Sequence, residues 1–160
     1  AQNVLDAVEA GEVDRGIFAV ANSGSGAYTA SLQAMGSHTF EPLVTFTMPI
    51  NMCILGHPSV DSIDTIETFY GHPIALSQCR KTLEEKWPDT PIKPCTDEMD
   101  TALSAKVLAN GEVPPTHAVF ASKRAAELYG LNVLVDGAHH NPHNATAFAI
   151  IRKKTEKVRM

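Results

Sequence analysis

The residues whose types and spacing are best suited to chemistry follow directly on an apolar run. Residues 17–21, IFAVA, carry β-favouring side chains and read as a buried strand. Asn22-Ser23-Gly24-Ser25-Gly26 then changes the character of the chain at once, and the following AYTASLQAM has the composition of a helix. A strand, a glycine-rich turn and a helix start would gather free backbone N–H groups and the positive end of a helix dipole at one spot. Such a spot suits a carboxylate or a phosphate. The plainer reading is a tight β–α turn with a serine cap, and both readings stay open on these residues alone.

Three other groups invite a chemical reading. The run HHNPH brings together His139, His140 and His143. Adjacent histidines rarely share one metal, and no cysteine or acidic ligand set lies beside them, so no metal is expected. His72, before Pro73, serves equally as a neighbour of a helix cap or as a functional imidazole. Cys53, Cys79 and Cys95 are odd in number and widely spaced, which fits reduced thiols in the cytoplasm better than a disulfide framework or a zinc site. Cys79 has no evident base partner and reads as core-facing.

The elements that must position these residues follow from periodicity and punctuation. Helices are expected over 2–10 (stopped by Gly11), 26–35, 72–87 (with Pro73 in the first turn), 96–111 (with acidic residues in the first turn) and 123–130. Strands are expected over 16–21, 66–71, 117–122, 131–138 and 146–154, with a short extended piece at 89–95. Residues 40–56 read as one long or bulged strand, with Pro42 and Pro49 at an edge or bend. Short strands alternating with helices make an α/β fold.

Composition excludes several classes of partner. The chain has 160 residues, 44% of them hydrophobic and 19% charged, with a net charge of −5, which is ordinary for a globular domain. That charge gives no reason to expect nucleic acid or an anionic membrane surface. The basic run RKKTEKVR at 152–159 is interrupted by Glu156 and reads as a solvated tail. No apolar run approaches the roughly 18 residues of a membrane span, and no secretory signal opens the chain. The chain starts at Ala1 in a helical pattern, so a preceding piece is expected to be missing.

Three segments, in order, carry a family resemblance. They are GEVDRG running into AVANS, then GHPIALSQC, then NATAF preceded by ASKRAAELYGLNVL. Together they resemble the prephenate dehydratase family, whose signatures are Gly-Glu-x-Asp-x-Gly leading to Pro-Ile-Glu-Asn-Ser, then Ser-His-Pro-Gln-Ala-Leu-x-Gln-Cys, then Asn-x-Thr-Arg-Phe. The resemblance implies a two-lobed α/β domain similar to type II periplasmic binding proteins, with the ligand cleft between the lobes. It implies conversion of prephenate to phenylpyruvate with loss of water and carbon dioxide, without a cofactor. It assigns Thr146 as donor to the leaving hydroxyl and Asn22, Ser23, His72, Gln78 and Phe148 to substrate binding. The expected layout is a domain over 1–152 lacking the family's first strand and loop, and a basic tail over 153–160 with no phenylalanine-sensing ACT domain. The expected partner is a small acid of the aromatic pathway, with a homodimer or fusion to another domain of that pathway left open.

The departures from the family pattern fall where chemistry is expected. Ala147 replaces the Arg of the last motif, Ala21 the Glu before Asn22, Ile74 the Gln after His-Pro, Gly71 the Ser before it, and Met52 a frequent His. Losing a bidentate Arg commonly costs about 2–5 kcal/mol where it grips a carboxylate. His139, His140, His143 or Arg152 are the candidates for a replacement cation. The alternatives to a dehydratase are a non-catalytic domain that binds an aromatic acid for regulation, or a prephenate decarboxylase; the retained Thr146 speaks against the latter.

Overall fold

A computed structural model describes residues 1–96 and 99–154. The elements are α1 (Gln2–Ala10), β1 (Arg15–Asn22), β2 (Gly26–Ala27), α2 (Thr29–Ser37), β3 (Phe40–Pro49), β4 (Cys53–Gly56), β5 (Thr68–Gly71), α3 (Pro73–Lys86), β6 (Ile92–Pro94), α4 (Thr101–Ala109), β7 (His117–Ala121), α5 (Lys123–Tyr129), β8 (Asn132–Val135) and β9 (Ala145–Lys153). The α/β expectation holds, and the chain divides into two compact units. One comprises Ala1–Ile50 with the chain from His143 onward, the other Asn51–Pro142.

The first unit is built on a four-stranded sheet in the order β2-β1-β9-β3, antiparallel at every pairing. Two helices cover one face. Leu5 and Val8 of α1 and Ala34 of α2 pack on Phe18, Ala149 and Ile151 in a buried cluster. Gly11 stops α1 in the left-handed conformation at φ 77°, as its position in the sequence suggested. Alternation along the strands sends Ile17, Ile150 and Val44, which are aligned across β1, β9 and β3, to the opposite face. There Ile17 is 51% exposed and Val44 50%.

The second unit carries a five-stranded sheet, β6-β5-β7-β4-β8, in which β5 runs parallel to β6 and β7 while β4 is antiparallel to β7 and β8. Its strands are apolar on both faces because both are covered. Ile54, Phe69 and Phe120 pack with Leu76, Cys79 and Leu83 of α3. Leu55 and Val119 pack on the other side with Ala105 and Leu108 of α4 and Ala126 of α5. His72 caps α3 by accepting the Ile74 N–H on Nδ1, and Pro73 takes the first helical position, where no N–H is needed. Among the described residues no helix is long and apolar enough to cross a membrane.

Four element boundaries differ from those expected, one of them the strand expected over 131–138, which spans only Asn132–Val135. The stretch 40–56 is two strands in different sheets: β3 ends at Pro49, and the Ile50 N–H goes to the Asn144 carbonyl. The helix expected from residue 26 starts at Thr29, because Gly26 and Ala27 pair back on Asn22 and Ala21 as a hairpin. The helix expected from residue 96 starts at Thr101 under an Asp100 cap that accepts the Leu103 N–H at 2.7 Å, so no acid lies in its first turn. Of the expected basic tail, residues 155–160 lie outside the described residues.

Two contacts hold α1 in place. Gly16 lets the helix lie directly on β1, since a Cβ there would collide with Val4 and come within 2.9 Å of a Val8 methyl. Replacing Gly16 with Ala is expected to cost about 1–3 kcal/mol through overpacking, read as a lowered urea midpoint; an unchanged midpoint would show that α1 does not bear on the sheet there. The second contact is His38, whose side chain is 8% exposed. Its Nδ1 faces the Ala34 carbonyl at 2.7 Å and its Nε2 faces Asp6 at 2.8 Å. The Ala34 carbonyl first, and Asp6 next, raise its pKa above the usual 6.5. The stabilisation is then fully present below the unfolded imidazole's pKa and is lost as pH rises through the higher folded value. The urea midpoint of the wild type is expected to fall from pH 6 to pH 8.5 by more than that of His38→Gln, and equal falls would contradict it.

Candidate functional site

The strongest cluster of buried polar side chains sits where β1 ends and β9 begins. The register places Asn22 directly opposite Thr146, with a bulge at Val20 accommodating the extra residue in β1. Asn22, Asn144 and Thr146 are 4%, 4% and 6% exposed. Polar groups at that burial must find partners, and these find one another. The Asn22 Oδ1 accepts the Gly24 N–H at 2.8 Å and the Ser25 N–H at 3.3 Å. Its Nδ2 donates to Asn144 Oδ1 at 2.8 Å and to Thr146 Oγ1 at 3.2 Å. The two backbone donors on the oxygen fix which end of the amide faces Thr146.

This arrangement revises the first expectation for the turn. The N–H groups of Gly24 and Ser25 are spent on Asn22 Oδ1, and that of Ser23 on the Ala145 carbonyl. The hairpin then holds the start of α2 away from the turn, at Thr29. The stretch therefore forms an Asx turn closing a hairpin, rather than an anion cradle at a helix start. Ser23 joins the strands further, its Oγ donating to the His143 carbonyl and accepting the Ala145 N–H, each at 3.0 Å.

The first unit thus brings together Asn22, Ser23 and Thr146. Phe148 lies two residues along β9 on the same face as Thr146 and stacks on Phe46 of β3, with ring centroids 5.7 Å apart. His72 and Gln78 belong to the second unit, at the start and in the body of α3. The Gln78 carbonyl accepts the His140 N–H, and His139 Nδ1 accepts the Met52 N–H at 3.3 Å. The His72 and His139 rings thus both present Nδ1 to a backbone N–H. Met52 itself is buried in the core.

The expected substitute cation at Arg152 is not there for the taking. Arg152 forms a bidentate pair with Glu41 at 2.8 and 3.0 Å, and it lies six positions along β9 from Thr146, roughly 20 Å away. Burial pushes the Cys79 thiol up to about 12, which keeps it protonated as a core residue. Among the described residues no three His, Cys, Asp or Glu side chains converge to hold a metal. Asn144 and Phe46 were not singled out in the sequence. Asn144 lies within the NATAF motif, which was a usable signal; Phe46 reaches Phe148 only through strand pairing.

The register also brings the two main departures together. Ala21 and Ala147, which stand where the family pattern has Glu and Arg, are directly opposite each other across β1 and β9. They share the face that carries Ala149 and Ile151, the side packed by helices, whereas Thr146 points to the other side. An acid and a base at these positions would be placed to form a cross-strand pair. Ala147→Arg alone is expected to lower stability by about 1–3 kcal/mol, and adding Ala21→Glu to recover about half or more of it. Urea midpoints of wild type, both single variants and the double variant measure the coupling, and strict additivity would contradict the pairing.

The family model for prephenate dehydratase matches residues 1–156. Arogenate dehydratase 5, chloroplastic, from Arabidopsis thaliana is 33% identical over 149 residues, which are 93% of this chain and 34% of that protein. A solved prephenate dehydratase from Arthrobacter aurescens, in complex with L-Phe, matches all of the chain and 52% of its own with a TM-score of 0.83 and 25% identity. A protein described as GqqA, a novel type of quorum quenching acylase, matches 99% of the chain and 55% of its own with a TM-score of 0.75; at 22% identity it shares the fold alone. The chain spans about a third of the length of the curated relatives it matches.

Proposed function

The chain belongs to the prephenate dehydratase family, and from that premise we propose that it removes water and carbon dioxide from prephenate or from its amino counterpart arogenate. In this reaction the bond to the ring carboxylate breaks and its electron pair enters the ring. The ring hydroxyl leaves, taking up a proton to become water, and the product is phenylpyruvate or phenylalanine. Aromatisation supplies most of the driving force, so a weak donor at the leaving oxygen suffices.

The observation that carries this reading is the state of the Thr146 hydroxyl. Its oxygen accepts from Asn22 Nδ2, which leaves its own proton for donation and makes it a better donor. Thr146 is the residue that touches the leaving hydroxyl. Ser23 and Phe148 line the substrate beside it, as the family resemblance implies. The three free cysteines suit a reducing compartment, the cytoplasm or a plastid of the kind named for the Arabidopsis relatives.

A second reading, a non-catalytic domain that binds an aromatic acid, draws on Ala147 and Ala21. Their position opposite each other, on the face away from the Thr146 hydroxyl, sets them apart from the proton donor and favours the enzyme. Purified protein is expected to generate phenylpyruvate from prephenate, followed by its enolate absorbance, or phenylalanine from arogenate. Thr146→Val is expected to lower turnover about a hundredfold or more while remaining folded, and Thr146→Ser to retain most of it. A Thr146→Val variant as active as wild type would remove Thr146 from the chemistry, and an inactive wild type that still binds these acids would favour the second reading.

A further inference from the structure

We propose, resting on the dehydratase reading, that Asn144 is a positioning residue: it holds the Asn22 amide so that one Asn22 N–H is aimed at the Thr146 oxygen. Every hydrogen-bonding site of the Asn22 side chain is committed. Its oxygen takes two backbone N–H groups, one amide hydrogen goes to Asn144 Oδ1 at 2.8 Å and the other to Thr146 Oγ1 at 3.2 Å. Asn22 therefore has no donor left for a substrate carboxylate, and it acts through Thr146. The shorter bond to Asn144 fixes the plane of the amide, and with it the direction of the second hydrogen.

Asn144 is itself held by its neighbours. Ser23 binds the His143 carbonyl and both backbone groups of Ala145, the residues on either side of Asn144. The Asn144 carbonyl takes the Ile50 N–H at 2.8 Å, anchoring it to the end of β3 as well. A buried acceptor on so fixed a backbone cannot follow a moving partner, so it dictates where Asn22 points. The Thr146 proton is then directed outward to the substrate before binding, and no reorganisation is needed in the transition state.

Kinetics and side-chain amide exchange test this together. Asn144→Ala removes the acceptor and is expected to lower kcat about tenfold with KM changed less than about twofold. In a Thr146→Val background the same change is expected to cost nothing further. Asn144→Asp keeps an acceptor oxygen and is expected to retain most of the turnover. By NMR, both Asn22 side-chain amide protons should be protected from exchange in the wild type and in Asn144→Asp, and exposed in Asn144→Ala. Should Asn144→Ala not fold, Asn144→Ser, whose hydroxyl is too short to reach, replaces it. Equal kcat losses in both Thr146 backgrounds, a rise in KM alone, or Asn22 protons that exchange freely in the wild type would each overturn the proposal. If the wild type turns over neither prephenate nor arogenate, the dehydratase reading fails, and the exchange comparison still decides whether Asn144 positions Asn22.

Discussion

The register of β1 against β9 is the constraint on which the rest of the first unit depends. It joins Asn22 to Thr146 across 124 residues of chain. It also sends Phe18, Ala149 and Ile151 to the helices and Phe148 and Ile150 to the other face. A slip of one residue would turn each of these side chains over, exposing the core cluster and burying Arg152. Both ends of β9 are secured. Arg152 and Glu41 clasp β9 to β3 at one end, and Ser23 ties β1 to the backbone beside Asn144 at the other.

The same register changes what the missing charges mean. Taken along the sequence, Ala21 and Ala147 are two separate losses, one of them from a motif that could grip a carboxylate. Across the sheet they are neighbours, and they face the packed side rather than the Thr146 hydroxyl. Two small residues opposite each other need no charge balance, whereas a lone guanidinium or carboxylate there would. The polar circuit of Asn22, Asn144 and Thr146 keeps all its members.

Local features of the sequence were legible because local physics sets them. Gly11 and Gly130 end helices in the left-handed conformation, and Pro73 opens one. The apolar run of β7, covered on both faces, could be read for the same reason. The break within 40–56 could not be read, since Ile50 and Met52 are as apolar as the strands on either side and only the topology parts them. The hairpin at Gly26–Ala27 was hidden by its two-residue length and by an Asn22 side chain that closes the turn. Within the site, the family resemblance singled out Asn22 and Thr146, but the contact of Asn22 with Asn144 spans 122 residues and leaves no local signature. What the side chains of the turn bind could be seen only once the strands were paired.

The most direct measurement is a crystal structure of the protein with a saturated-ring analogue of prephenate, one that keeps the ring hydroxyl and both carboxylates but cannot aromatise. The expected result is the ring hydroxyl within about 2.6–3.2 Å of Thr146 Oγ1, with the Asn22 amide still bound to Asn144 and making no contact with the ligand. An analogue carboxylate seated on Asn22 Nδ2, or a ligand bound away from Thr146 altogether, would contradict it.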